Sequence, residues 1–280
     1  VDKPEGITSH DAVQRVRRLL RIRSAGHTGT LDPFATGLLV ILLGRATRLA
    51  RFLEGQPKRY RAVACLGRRT DTDDRTGTVL EERPIDRLTA EQIRRELERF
   101  VGTGRQRPPA FSAKHVGGER SHRLARRGEW VQPAEVPVTV YAVEWLGWAP
   151  PELSFRATVS AGTYVRALAR DLGERLDVGG HLTALRREAI GPLSVADAVP
   201  LDRVTPDAVL SPAAVLRHLP AVELDEAARR DVAHGRTVAD PGAPARRDGA
   251  EVALLAGGEL AAVAREEGGR LQPLVVLATP

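Results

Sequence analysis

Cysteine is almost missing: Cys65 stands alone in 280 residues. That excludes a disulfide framework and any cysteine-cluster zinc or iron–sulfur site, and it fits a reducing, cytoplasmic setting. Long hydrophobic runs are missing as well. The longest aliphatic run, residues 38–43, is "LLVILL", far short of the roughly 20 residues a membrane-spanning helix needs. The chain opens on "VDKPEG" with neither an initiator Met nor a basic-then-apolar leader. The expectation is a soluble chain with residues missing in front. Lysine is also scarce. Of 42 basic residues only three are lysine, Lys3, Lys58 and Lys114. Where arginine is the default, a retained lysine suggests a place for a compact ammonium rather than a planar fork, with chance as the alternative.

What is present supports one large domain and a small one, with 42% hydrophobic residues to form cores. The net charge of +6 favours a polyanionic partner. "TSHDAVQRVRRLLR" places Val13, Val16, Leu19 and Leu20 at helical spacing behind the cap candidates Thr8 and Ser9, and "RATRLARFLE" reads as a second helix. "KRYRAVACLG" reads as a strand with Tyr60, Ala62, Ala64 and Leu66 on one face. In "TAEQIRRELERF", Thr89 and Gln92 form a capping box ahead of Ile93, Leu97 and Phe100. Leu153, Phe155, Ala157 and Val159 alternate as in a strand, and helical spacing follows through Leu168, Leu172 and Leu176. The junction, "GTYVR", makes Tyr164 and Arg166 site candidates, although an arginine in a first helical turn is more often solvated. Beyond a boundary near residue 218, two Gly-Gly pairs separate three strand-like runs and predict a small β-rich module.

Two polar segments invite functional readings. In "RRTDTDDRTGTV", Asp71, Asp73 and Glu82 match positions one, three and twelve of a calcium loop. Arg75 occupies a ligand position and Thr76 stands where the sharp turn needs glycine, so calcium is rejected and no metal is expected. Residues 104–128 carry seven Lys or Arg against the single acid Glu119, interleaved with Phe111, His115 and His122. A solvated face and a nucleic-acid-contacting loop both fit.

Within "GHTGTLDPFATG", residues 26–37, one carboxylate stands among glycines and threonines. Asp32 is the only acid between Ser24 and Leu53. Glycoside hydrolysis needs two carboxylates, and a phosphate cradle ends in Gly-Lys-Ser/Thr, so neither template fits. A lone Asp beside Pro33 can cap the turn, and spacing alone favours that role. The chemical alternative is covalent catalysis, which requires a cationic partner to keep the carboxylate charged away from water.

"GHTGTLDPFATGLL" resembles the catalytic motif of the TruB family of tRNA pseudouridine synthases. "DKPEGITSHDAV", "KRYRAVACLGRRTDTDDRTG", "PPAFSAKHVGGERSHRLARRG", "SAGTYVRALARDLG" and "HLTALRREAIGP" are similar in the same order, over residues 1 to about 198. The resemblance implies an α+β fold with a mixed, largely antiparallel sheet and flanking helices. It implies a catalytic domain at 1–217 with an RNA-gripping loop at about 104–130, and a PUA-like RNA-binding module at 218–280. The implied activity converts uridine 55 of the tRNA T loop to pseudouridine, without cofactor, by a cytoplasmic monomer that needs no protein partner. Asp32 would be the nucleophile and Arg166 its ion-pair partner. Tyr60 would stack on the target base, or act as a base if the route runs through a glycal, and His27 would hold the nucleotide flipped out. Tyr164, Thr30 and Lys3 would line the pocket, and Lys114, Arg120, Arg123 and Arg126 would contact RNA. His115 and His122 depart from the family pattern of Lys and Tyr.

Overall fold

The computed structural model describes residues 1–111, 133–242 and 246–278, with backbone alone at 115–116 and 119–120. The strands of the first half are β1 (Asp2–Lys3), β2 (Ala25–Thr28), β3 (Thr36–Leu38), β4 (Val40–Leu43), β5 (Lys58–Leu66), β6 (Arg68–Thr70), β7 (Val79–Glu82), β8 (Gly102–Gln106), β9 (His115–Val116) and β10 (Glu119–Arg120). They are followed by β11 (Val136–Ala149), β12 (Glu152–Val159), β13 (Gly180–Ile190), β14 (Leu193–Ser194), β15 (Ala221–Glu223), β16 (Val238–Ala239), β17 (Glu251–Ala256), β18 (Glu259–Glu267) and β19 (Arg270–Val276). The α-helices are α1 (Ser9–Leu19), α2 (Ala50–Glu54), α3 (Ala90–Glu98), α4 (Val165–Arg175), α5 (Pro212–Val215) and α6 (Glu226–Ala233).

Alternation along β5 and β12 sets the central sheet. Tyr60, Ala62, Ala64 and Leu66 all turn inward, as do Leu153, Phe155, Ala157 and Val159, because successive side chains point to opposite faces of a strand. The sheet order is β1-β3-β13-β5-β12-β11-β8, with β14 paired to β13. Every pairing is antiparallel except that of β13 with β3. Ile93 and Leu97 of α3 and Leu168 and Leu172 of α4 join the apolar face in one core. The sheet is therefore mixed and largely antiparallel with flanking helices.

Two helical readings are corrected in detail. The α1 capping box forms between Thr8 and Asp11, but the buried stripe is Ala12, Val13 and Val16, while Leu19 is 45% exposed. The helix stops at Leu19 and Arg21 turns the chain at φ +52°, so Leu19 is left at the surface, while Leu20 at the helix end still packs partly against the core. "RATRLARFLE" is not one helix. A 3-10 segment, Gly44–Leu49, precedes α2. Gly44 starts it at φ +55° and the Thr47 hydroxyl donates to the Gly44 carbonyl at 2.8 Å, a local bond that competes with the α-helical ladder.

The C-terminal sheet runs β15-β17-β18-β19-β16. Its two tight connections are Gly257-Gly258 and Gly268-Gly269, all at positive φ, the conformation a two-residue hairpin turn requires. This module packs on the end of the first half: Leu42, Leu49, Phe52 and Leu53 share a core with Leu216, Leu260, Val263 and Val275. Arg48 Nη1 also donates to the Val276 carbonyl at 2.8 Å.

Candidate active site

The turn between β2 and β3 is anchored by its apolar neighbours. Leu31 and Phe34 are buried in the core on either side of the Asp32–Pro33 tip. Ser9, at the start of α1, meets the turn backbone twice: its hydroxyl donates to the Leu31 carbonyl at 3.1 Å and accepts the Leu31 N–H at 2.8 Å. The Gly6 N–H donates to the Pro33 carbonyl at 2.8 Å, and the Ala35 N–H to that of Asp32 at 3.1 Å. The Asp32 side chain is left projecting from a fixed backbone, about a third of its surface open at 34%.

Its partner arrives from α4. Gln106 on β8 grips the backbone of Tyr164 from both sides, accepting its N–H at 2.8 Å and donating to its carbonyl at 3.0 Å. That clamp sets the start of α4, where Arg166 is only 4% exposed. Arg166 Nη2 donates to Asp32 Oδ1 at 3.3 Å, and Nε lies 3.0 Å from Oδ2. Nε is not aligned for a hydrogen bond, so Nη2 carries the directional contact and Nε adds charge. The fork is held from behind: Nη1 donates to the Thr72 carbonyl at 2.7 Å and to Asp74 Oδ2 at 3.2 Å, and Nη2 also donates to the Phe111 carbonyl at 2.9 Å. A solvated arginine, the commoner outcome for a first helical turn, is thus not what the chain builds.

The segment that mimicked a calcium loop is the support for this arginine. Asp74 Oδ1 accepts the Thr76 N–H at 2.9 Å and the hydroxyls of Thr72 at 2.9 Å and Thr76 at 2.6 Å. Asp73, at φ +59°, accepts from Arg170 Nη1 at 2.9 Å, one helical turn after Arg166. Asp71 Oδ1 instead accepts the Thr78 N–H at 2.8 Å. Each acid faces a different donor. Residue spacing singled out Asp71 and Asp73, with Glu82, only for a calcium template that the sequence itself rejects, and passed over Asp74; the nearest signal was the dense run of threonines around it, which orient carboxylates in turns.

Electrostatics divide the site. Burial raises the Asp32 carboxyl above the ordinary carboxylate range, opposed by Arg166 and reinforced by the nearby Asp74. Burial also pushes Asp73 up to about 6, against the pull of Arg170. His27 on β2 falls below its usual value through burial and the Arg187 charge, and its Nδ1 is buried without a hydrogen-bond partner. Both effects favour the neutral ring. Tyr60 on β5 is buried at 7% exposure in the same core as Leu31 and Phe34.

Other expected residues fall into two groups. Thr30 is exposed on the turn, with its carbonyl accepting from Arg187 Nη1 at 3.4 Å, and Tyr164 caps α4 next to Arg166. Lys3 is fully buried beneath the turn. Its ammonium donates to the carbonyls of Pro4 at 2.9 Å, Ile7 at 2.8 Å and Pro33 at 3.4 Å, and burial lowers it to about 8. Lys58 does the same with Glu54 and Gln56 carbonyls at 2.8 and 2.9 Å, and is also lowered to about 8 by burial. Lys3 and Lys58, the two lysines among the described residues, are both compact buried donors to backbone. Lys114, Arg123, Arg126 and His122, and the side chains of His115 and Arg120, lie outside the described residues.

A partly exposed carboxylate ion-paired to a buried arginine suits attack on an electrophilic carbon. The model of the TruB family pseudouridylate synthase N-terminal domain matches residues 17–165, and that of the tRNA pseudouridylate synthase B C-terminal domain matches 166–219. This chain belongs to the TruB family. Relatives named tRNA pseudouridine synthase B include that of Synechococcus sp. (strain WH7803), 43% identical over 99% of this chain and 95% of that protein. That of Thermobifida fusca (strain YX) is 42% identical over 99% and 97%, and that of Mycobacterium tuberculosis (strain ATCC 25618 / H37Rv) is 41% identical over 99% and 94%. Among solved structures, a Cbf5-Nop10-Gar1 complex aligns at TM-score 0.77 and 27% identity over 99% of this chain and 84% of that one. An H/ACA RNP bound to a substrate RNA containing 2'-deoxyuridine aligns at TM-score 0.76 and 25% identity, over 99% and 83%. In TruB terms, the boundary between the two matched models falls between Val165 and Arg166, so the Asp32–Arg166 pair bridges them.

Proposed function

We propose that this chain isomerises uridine 55 in the T loop of tRNA to pseudouridine, with Asp32 as nucleophile. The observation that carries the reading is the asymmetry of the ion pair: Arg166 is buried at 4% exposure while Asp32 keeps 34%, leaving the carboxylate open to a nucleotide. Arg166 favours the charged form that burial alone would suppress. The target base leaves the stack, at a cost of a few kcal/mol, and is received against Tyr60 with His27 filling the space behind it. The N1–C1′ bond then breaks, the uracil turns, and a C1′–C5 bond forms. N1 gains a proton and the C5 hydrogen leaves as a proton, so the reaction is redox-neutral and consumes no co-reactant.

In this reading the catalytic domain is 1–217 and the C-terminal sheet of 218–280 is a PUA-like RNA-binding module. The net charge of +6 supports phosphate contacts to the T arm, whose loop offers an unpaired uridine for recognition. Full-length similarity to bacterial relatives favours a cytoplasmic enzyme acting alone, as a monomer, over the ribonucleoprotein setting of the structural neighbours.

The test is tritium release from tRNA labelled at uridine C5. Release by the parent chain, lost in Asp32→Asn with binding kept, supports the reading; binding without release by the parent sinks it. An isolated T-arm hairpin is expected to suffice as substrate, and a strict requirement for a guide RNA would transfer the chain to the ribonucleoprotein class.

A further inference from the structure

Among the largest fully buried side chains of the described residues is a charged one, Arg187 on β13, and none of the roles above uses it. Among the described residues it forms no ion pair; its guanidinium is satisfied by carbonyls alone. Nε donates to Leu38 at 2.7 Å, Nη2 to Gly29 at 3.0 Å and Nη1 to Thr30 at 3.4 Å. Those acceptors lie on both sides of Asp32 in the chain: Gly29 and Thr30 lead into the turn, and Leu38 ends the strand that leaves it. A buried cation without a carboxylate is costly, so the fork is there for what it holds.

The backbone of the same residue joins two further elements. Arg187 pairs with Gly37 of β3 on one side and with Tyr60 of β5 on the other. The approach to Gly37 is so close that a Cβ there would meet the Arg187 carbonyl oxygen at 2.3 Å, and Gly37 has φ +103°. One residue thus touches the entrance of the Asp32 turn, its exit, and the strand position that carries the tyrosine.

We propose that Arg187 is a positioning residue for pseudouridine formation, fixing the Asp32 turn by its carbonyls and holding it in register with Tyr60. This rests on the reading of the chain as a synthase. A planar fork suits the task because the three bonds leave from three separate nitrogens of one rigid group, so carbonyls on both sides of the turn are fixed relative to one another. The role is geometric: the guanidinium reaches the turn through backbone carbonyls and, among the described residues, makes no ion pair with Asp32.

The test measures tritium release, tRNA binding and thermal melting for the parent, Arg187→Met and Arg187→Lys, on the full chain. A carboxylate displaced by about an ångström loses on the order of 10²-fold in kcat. For Arg187→Met the expected result is that loss, with KM within about threefold of the parent and the acid limb of the pH–rate profile unmoved. Arg187→Lys is expected to recover part of kcat. A folded Arg187→Met with kcat within about twofold of the parent, or with a raised KM at unchanged kcat, overturns the proposal. If Arg187→Met does not fold, Arg187→Lys decides: about tenfold lower kcat with parental KM and pH profile supports it, and parental kcat overturns it. A parent that releases no tritium overturns the functional reading and this inference with it, whereas an active parent indifferent to Arg187 overturns this inference alone.

Discussion

Two turns offer an aspartate to the same arginine, and they do so in opposite ways. Asp74, in the turn between β6 and β7, is 5% exposed at its side chain, and its oxygens accept from Thr72, Thr76 and Arg166. Asp32, in the turn between β2 and β3, is 34% exposed and, among the described residues, takes its hydrogen bond from Arg166 alone. A carboxylate that already accepts four hydrogen bonds is a fixture. One with lone pairs to spare can form a new bond. The site is built by giving one arginine both kinds, so that the saturated acid orients the fork and the unsaturated one remains available for chemistry.

The sharpest way to break that comparison is to neutralise each acid in turn. Asp32→Asn is expected to lose activity by on the order of 10⁴-fold or more, as nucleophile removal does, with tRNA binding retained. It should not lose stability. Because burial holds the Asp32 carboxyl above its unfolded value, the folded state binds that proton more tightly, and its charged form is a liability once pH exceeds the folded pKa. Melting of Asp32→Asn at pH 7.5 is therefore expected at or above the parent's.

Asp74→Ala should reverse that pattern. Breaking one side of a buried pair costs about 3–5 kcal/mol of stability, which urea unfolding would read, and kcat should fall on the order of 10²-fold as Arg166 loses its orientation. An Asp74→Ala variant as stable as the parent contradicts the assignment of Asp74 as the fixture. The pH profile sharpens the contrast: kcat/KM is expected to fall on acidification with a midpoint above the ordinary aspartate value of 3.8, because Asp32 must be ionised to attack. A profile flat down to that value would remove Asp32 as the titrating group. The smallest effect is expected at Asp73, one helical turn from Arg166 and paired to Arg170. Its folded value of about 6 is raised, so the stability its bound proton contributes below about pH 4 is lost between about pH 4 and 6 as the carboxyl ionises. Asp73→Asn is expected to melt no lower than the parent at pH 7.5, with kcat changed less than about tenfold.

Much of this architecture was legible beforehand, for reasons that differ by element. β12 and β5 were readable because alternation is a local signal that burial on one face enforces, and the hairpins of the C-terminal sheet because only glycine tolerates those turns cheaply. The end of α1 was not, since Leu19 has helical spacing but no core to enter. Asp32 was conspicuous by its isolation, yet its chemical role became readable only through resemblance, because its partner Arg166 lies 134 residues away. Asp74 and Arg187 were hidden for a related reason. Their partners are one arginine and three backbone carbonyls from distant elements, and a backbone carbonyl leaves no trace in composition or spacing.

The division of labour between the two aspartates is tested most directly by single-turnover tritium release from C5-labelled tRNA, comparing the parent, Asp32→Asn and Asp74→Asn at matched tRNA occupancy. The account predicts no release from Asp32→Asn and a slowed but measurable release from Asp74→Asn. Release by Asp32→Asn at a rate comparable to that of Asp74→Asn would contradict it.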